Sequence, residues 1–163
     1  MSNSNVENTT PKSGSKTSVW ARRRSRRALV QAVYQWQVSG NSVTSVKQEF
    51  HESDALKKAD THFFDELFGL VASKSSELDT NYESFLDRSV EKLDVIERAV
   101  LRLACAEFAH RQDVPYKVVI DEYVELTKVF GAQDAYKYIN GVLDQVAANL
   151  RQIEVEYAGK KPQ

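Results

Sequence analysis

The sequence predicts an all-α protein, a single compact domain of about six or seven helices. Apolar residues recur every three or four positions along most of the chain, which is the period of an amphipathic helix. Only 6 glycines and 3 prolines occur in 163 residues, so the chain lacks the turn residues that a β-sandwich or β-barrel needs. Apolar residues make up 42% of the chain, which is enough for one domain core.

Two apolar stripes near the N-terminus predict a long first helix and a short second helix. Gly40 followed by Asn41 separates them, because this pair favours a turn and ends a helix. The first stripe consists of Leu29, Val33 and Trp36, and the second of Val43, Val46 and Phe50. We interpret Trp36 as a structural residue, since it continues the first stripe.

Capping residues indicate where the central helices begin. Asp60 precedes the third stripe and is a suitable N-cap. Thr80 with Glu83, and Asp94 with Glu97, have the spacing of a capping box, so helices are predicted to begin near both pairs. The third stripe consists of Phe63, Phe64, Leu67, Leu70, Val71 and Leu78, and the stripe after Asp94 of Ile96, Ala99, Val100, Leu103, Ala104 and Phe108.

The last two helices are delimited by proline and glycine. Pro115 suits the first position of a helix, where a missing N–H has no consequence, and Gly131 suits its end. The final stripe runs across Gly141, which predicts one uninterrupted helix although glycine costs about 1 kcal/mol there. We infer that Gly141 allows another helix to approach closely. The final stripe consists of Ile139, Val142, Leu143, Val146, Leu150 and Ile153.

Composition divides the chain into three parts. Residues 1–18 are predicted to be a disordered extension, because eleven of them are Ser, Thr or Asn and cannot bury enough surface to fold. Residues 19–155 form the helical domain, and residues 156–163 a frayed tail.

The net charge of −1 conceals a basic segment joined to an acidic body. Residues 1–27 carry seven basic residues against one acidic residue, whereas the remainder carries 15 basic against 22 acidic residues. Such a distribution favours binding of a polyanion at one place. Specific RNA binding, DNA binding and nonspecific polyanion binding all remain open on this evidence.

The sequence contains no arrangement typical of an enzyme or a metal site. The three histidines lie in separate segments, and Cys105, the one cysteine, sits in an apolar helix and is interpreted as a buried thiol. No phosphate-binding glycine loop and no GxSxG nucleophile motif occurs. We therefore expect neither catalysis nor a cofactor.

Targeting to another compartment is not expected either. Residues 25–29 resemble a twin-arginine export signal, but the segment that follows is too polar to be exported that way. No apolar run approaches the ~20 residues of a membrane span. A cytoplasmic protein that does not enter membranes is therefore predicted.

Five blocks carry a resemblance to a known family. They are ARRR at 21–24, AVYQWQ at 32–37, IERAVLR at 96–102, DVPYKV at 113–118 and FGAQDAYKYINGVLD at 130–144. The blocks occur in the order and at the spacing of the bacterial NusB antitermination family, which the chain resembles from about residue 20 to 151. The resemblance implies two packed helical subdomains. It also implies binding to single-stranded boxA RNA of ribosomal RNA operon transcripts.

The same resemblance implies protein partners. These are NusE, a small-subunit ribosomal protein that forms a heterodimer with the family, and the RNA polymerase antitermination complex. Support of ribosome biogenesis is implied as well. The acidic body suits a basic partner such as NusE. Residues implied at the NusE interface are Tyr34, Glu91 and Glu97. For the glutamates, an ordinary solvent-exposed position is the alternative.

The RNA surface is expected to combine arginines with aromatic rings. Arginine binds phosphate through two parallel hydrogen bonds and stacks on bases, and aromatic rings stack on bases too. Not all the arginines can reach one RNA, because they cover several helix faces. Phe85 and Tyr138 have core packing as their alternative. The implied RNA-binding residues are Arg22, Arg23, Arg24, Arg26, Arg27, Phe85, Asp134, Lys137 and Tyr138.

Two alternatives belong to other functional classes. One is a helical interaction module that binds polyanions nonspecifically. The other is an accessory domain of an RNA methyltransferase, since some of these enzymes carry a NusB-like domain. No cofactor-binding domain follows in this sequence, so we expect the antitermination function instead. Whether the free protein forms a homodimer stays open.

Overall fold

The computed structural model describes residues 16–160, with side chains from residue 19 onward. Within this range the chain forms seven α-helices and no strand, which confirms the predicted all-α fold. The helices are α1 (Lys16–Ser39), α2 (Val43–Glu52), α3 (Thr61–Thr80), α4 (Val95–His110), α5 (Tyr116–Phe130), α6 (Ala135–Leu150) and α7 (Gln152–Lys160). Single 3₁₀ turns lie at Asp54–Leu56, Glu83–Phe85 and Val90–Lys92. None of these helices is both long and apolar enough to span a bilayer.

Helix α4 is the centre of the core. It packs against α1 and α3 on one side and against α5 and α6 on the other, so the two groups of helices share one apolar interior. Leu101, Leu103 and Phe108 of α4 are fully buried, and so is Cys105, whose pKa is raised by this burial. A buried, neutral thiol is consistent with the structural interpretation of this cysteine.

Several predicted helix ends are confirmed. Asp60 caps α3 by accepting a hydrogen bond from the backbone N–H of Phe63 at 3.0 Å. Asp94 caps α4 by accepting one from Ile96 at 2.9 Å. Gly40 follows α1 with a φ of +72°, a conformation that glycine adopts without strain. At the remaining ends Pro115 is the N-cap of α5 rather than its first residue, and Gly131 is its C-cap.

The prediction that a helix begins at Thr80 is wrong. Thr80 is the last residue of α3, and its hydroxyl donates to the carbonyl of Glu77 at 2.6 Å. Beyond it, the buried Tyr82 donates to Asp79 at 2.5 Å, and Arg102 donates to the same carboxylate through two bonds of 2.9 Å. These side-chain bonds hold the segment in a turn, a constraint that local spacing does not reveal.

The final apolar stripe belongs to two helices rather than one. The helix is interrupted at Arg151, which has non-helical dihedral angles (φ −128°, ψ 40°). Its guanidinium is buried and donates to the carbonyls of Phe108, Arg111 and Val114 at 2.8, 2.9 and 3.0 Å. Ile153 consequently lies outside the core and is 85% exposed. Helix α7 then continues to Lys160, past the predicted domain end at 155, and residues 161–163 lie outside the described range.

The start of α1 and the surroundings of Gly141 differ from the predictions. Helix α1 already begins at Lys16, three residues before the predicted domain, and residues 1–15 of the predicted extension lie outside the described range. Gly141 is helical, as the period predicts. The proposed reason is wrong, because a Cβ at Gly141 would meet no atom within 4 Å.

Candidate nucleic-acid interface

Three of the five predicted arginines lie on the exposed face of α1. The side chain of Arg23 is 49% exposed and pairs with Glu122 of α5 at 3.0 Å. Arg24 and Arg27 are exposed as well, and the Arg27 guanidinium lies 5.3 Å from the centre of the Phe130 ring at the end of α5. This face can supply guanidinium groups to phosphates or to bases.

Arg26 does not belong to this face, and the prediction that it contacts RNA is wrong. Its side chain is buried and donates two hydrogen bonds, of 2.8 and 2.9 Å, to the buried carboxylate of Glu107. Burial alone lowers the pKa of Arg26, but the Glu107 carboxylate outweighs it and raises that pKa. The Arg26 guanidinium therefore stays charged inside the core, where a phosphate cannot reach it.

Arg22 occupies an intermediate position. It bonds Asp113 at 3.1 Å and approaches Asp60 at 3.7 Å, and its guanidinium lies 5.0 Å from the Phe63 ring. Arg26 lies over the same ring at 5.1 Å, as expected for residues four apart on one helix. A phosphate that binds Arg22 would have to compete with Asp113.

Tyr138 is half-buried in the first turns of α6. Its hydroxyl accepts a hydrogen bond from the backbone N–H of Asp87 at 3.1 Å. Burial, and then the Asp87 carboxylate, raise the pKa of Tyr138. The Glu83–Phe85 turn packs against α6, which brings the half-buried Phe85 to the same region. The two aromatic positions predicted from separate segments are thus brought together.

Arg88 is a functional candidate that the sequence analysis missed. Its guanidinium lies 4.8 Å from the Tyr138 ring and donates to the Asp87 carboxylate at 2.6 and 3.2 Å. The side chain is 40% exposed. Its position three residues after Phe85 is the only sequence signal, because no apolar period passes through it.

The loop before α6 adds charged residues beside Tyr138. Asp134 precedes the helix with a φ of +66°, and its side chain makes no capping bond. It lies 3.7 Å from the Lys137 ammonium, and both side chains are about two thirds exposed. Tyr136, also missed from the sequence, lies between Lys128 and Lys137, 4.9 and 5.9 Å from their ammonium groups.

The predicted partner residues do not share one surface. Tyr34 is 41% exposed and borders an apolar groove of about 400 Å³ that is also lined by Val38, Phe50 and Ile96. Glu97 follows Ile96 in α4 but is only 8% exposed, so the ordinary solvent-exposed alternative does not describe it. Burial, and then Asp94, raise its pKa.

Glu91 is exposed and lies away from this groove. It lines a polar hollow of about 590 Å³ together with Arg88 and Glu83. The structure therefore places Glu91 beside the Arg88–Tyr138 region rather than in the groove beside Tyr34.

These positions are typical of a small helical protein that binds single-stranded nucleic acid. Exposed arginines, half-buried aromatic rings and lysines lie on one small helical domain, and such combinations bind single-stranded nucleic acid. Among the described residues, no group of three or more histidine, cysteine or acidic side chains is arranged to hold a metal ion.

Comparison with known proteins identifies the family. The NusB family model matches residues 23–148. The transcription antitermination protein NusB of Shewanella amazonensis is 48% identical over 127 residues, which is 78% of this chain and 95% of that protein. That of Saccharophagus degradans is 47% identical over 142 residues, 86% of this chain and 95% of that protein. The chain belongs to the NusB family of transcription antitermination proteins.

Solved structures share the fold. T. maritima NusB superposes with a TM-score of 0.70 at 28% identity, over 83% of this chain and 96% of that one. A chain from the crystal structure of a plectonemic RNA supercoil superposes with a TM-score of 0.73 at 24% identity, over 86% of this chain and 99% of that one. The second likeness concerns the fold alone.

Proposed function

We propose that this protein is a cytoplasmic antitermination factor that binds single-stranded boxA RNA of ribosomal RNA transcripts together with NusE. In this role it would act on RNA polymerase through the antitermination complex and support ribosome biogenesis, without catalysing a reaction. The single observation that carries the proposal is that a NusB fold presents both an exposed arginine face on α1 and the aromatic and basic groups around Tyr138.

The two regions are connected along the chain through Phe130. Arg27 lies over the Phe130 ring, and the chain passes from Phe130 through a short loop directly into the first turn of α6. That turn carries Lys137 and Tyr138. A single strand could therefore contact the exposed arginines with its phosphates and stack bases near Tyr138 and Phe85. Stacking contributes about 1–3 kcal/mol per base.

The partner proposal depends on shape and charge. The groove beside Tyr34 is apolar, and the chain from residue 28 onward carries seven more acidic than basic residues. A basic protein such as NusE would be attracted to this body and could place an apolar side chain in the groove. Because burial disfavours the charge of Glu97, a cationic group of the partner would stabilise it there.

The test is fluorescence anisotropy with a labelled boxA strand and a scrambled strand of equal composition, with and without NusE. We expect preference for boxA and tighter binding when NusE is present. Equal affinity for both strands, with no effect of NusE, would reduce the protein to a nonspecific polyanion binder.

The variant series separates the two faces. Arg24→Ala should weaken RNA binding. Lys47→Ala is the control and should not, because it removes a partly exposed cation of α2 that lies 3.9 Å from Asp65 of α3. Tyr34→Ala should weaken NusE binding and leave the RNA affinity of the isolated protein intact. An equal loss of both activities in one variant would indicate a folding defect.

A further inference from the structure

A groove lies where the first turns of α1 meet the outer side of α5. Its volume is about 530 Å³. One wall is formed by Trp20, Arg23, Arg24 and Arg27 of α1, and the opposite wall by residues of α5. No part of the proposed function uses Trp20, which the sequence analysis did not assign to a site.

Trp20 presents a flat, accessible ring. It is 58% exposed, the most exposed of the aromatic side chains on the described part of α1. The Arg23 guanidinium lies 4.8 Å from the centre of the indole. Arg23 also donates to Glu122 at 3.0 Å, and this carboxylate, whose side chain is 12% exposed, holds the guanidinium in place. The guanidinium and the indole are thus positioned beside each other before any ligand arrives.

The charges in the groove would direct the base and the phosphate of a nucleotide to different walls. Leu126 and Val129 contribute apolar surface, whereas the carboxylates of Asp121, Glu122 and Glu125 line the α5 wall. Carboxylates repel phosphate but accept hydrogen bonds from the amino groups of bases. Arg24 and Arg27, on the α1 wall, are the exposed cations that attract the backbone. A base would enter the groove, and its phosphate would stay on the α1 side.

We propose that Trp20 and Arg23 form a stacking site for one nucleobase of the bound RNA strand. This site lies at the N-terminal end of the α1 arginine face, away from the Tyr138 region, and extends the surface used for RNA. The inference rests on the proposed function. Other polyanions fit less well, because an acidic peptide or an anionic lipid surface would meet the carboxylates of α5 without offering a base to the indole.

The tryptophan content of the chain allows a direct test. The chain has two tryptophans, so Trp36→Phe leaves Trp20 as the one fluorescent indole. Titrating this variant with boxA RNA should quench its emission, with a midpoint that matches the anisotropy titration. The matched control is Trp20→Phe, which retains the half-buried Trp36 and should show a much smaller change.

Affinity measurements supply the second readout. Trp20→Ala should weaken boxA binding about 5- to 150-fold, the range expected for one lost stacking contact, while Trp20→Phe should retain most of it. Arg23→Lys keeps the charge but removes the planar guanidinium. It should therefore weaken boxA binding more than expected if Arg23 contacted only a phosphate. Because Trp20 is exposed, the melting temperature should be unchanged in these variants.

The outcomes separate this inference from the proposed function. If wild-type protein binds boxA but Trp20 is not quenched and Trp20→Ala binds normally, the stacking site is wrong and the proposed function stands. If quenching also occurs with a mononucleotide at the same concentration, the groove is a nucleotide pocket rather than part of a strand-binding surface, and the inference is overturned. If wild-type protein binds no boxA RNA, the proposed function fails first.

Discussion

Arginines that are neighbours in sequence have opposite environments in this protein. Arg26 is buried with Glu107, whereas Arg24, two residues earlier, is exposed. The difference follows from the helical period, which turns position 26 toward α4 and position 24 toward solvent. The arginine cluster could be predicted from the sequence, but the inward-facing member could not, because its partner lies 81 positions away.

This contrast predicts different effects on stability. Arg26→Ala should lower the free energy of unfolding by about 3–5 kcal/mol, because it leaves the Glu107 carboxylate buried without a partner. Arg24→Ala should change it by less than about 0.5 kcal/mol. Urea unfolding followed by circular dichroism measures both. Equal stability of the two variants would contradict the assignment of Arg26 to the core.

Tyr138 is expected to act through its ring rather than its hydroxyl. Tyr138→Phe removes the bond to the Asp87 N–H but keeps the stacking surface, so RNA affinity should fall only slightly. Tyr138→Ala should weaken RNA binding by about 1–3 kcal/mol. Anisotropy titrations check both values. A large drop in melting temperature with unchanged RNA affinity would instead assign Tyr138 to the core.

Glu97 provides a prediction about pH. Burial, and then Asp94, raise its pKa in the folded state, so the folded protein binds this proton more readily than the unfolded chain. The charge therefore destabilises the fold at neutral pH, and this penalty disappears as pH falls through the raised pKa. Glu97→Gln should raise the melting temperature at pH 7, and the gain should shrink toward acid pH. A gain that is constant with pH would contradict this account.

At the scale of elements, periodicity located the helices but not the places where tertiary contacts interrupt them. The apolar spacing continues from Leu150 to Ile153, so the sequence predicts one helix. The break depends on carbonyl groups near the end of α4 that have no intrahelical partner and are satisfied by Arg151. Because those carbonyls lie about 40 positions earlier, no local pattern reports the break.

Arg151 is accordingly predicted to hold α7 and the α4–α5 connection in place. Arg151→Ala should destabilise the protein by roughly 1–3 kcal/mol, since it removes the donor of the Val114 carbonyl. The carbonyls of Phe108 and Arg111 keep the Gln112 side chain and the Val114 N–H as donors. Hydrogen exchange should show the largest loss of protection in α7 and near residue 111. Unchanged exchange in these segments would mean that α7 is held by its other contacts, such as the bond from the Tyr116 N–H to Glu154 at 2.9 Å.

At the scale of the molecule, arginines meet aromatic rings that come from distant segments. Arg27 of α1 lies over Phe130 at the end of α5, and Arg88 lies over Tyr138 of α6. The family blocks indicated most of these residues. Trp20 and Arg88 were missed, because an exposed tryptophan and a loop arginine gain meaning only from their neighbours in the fold.

The central claim is that the exposed arginines of α1 bind the phosphates of boxA RNA. The most direct measurement is the dependence of boxA affinity on salt concentration for wild-type protein and for a variant in which Arg24 and Arg27 are replaced by alanine. Each phosphate contact with single-stranded RNA adds about −0.7 to the slope of log K against log salt, so the slope of the variant should be shallower by about 1.4. It should also bind more weakly at low salt, with an unchanged circular dichroism spectrum. An unchanged slope and affinity would contradict the claim.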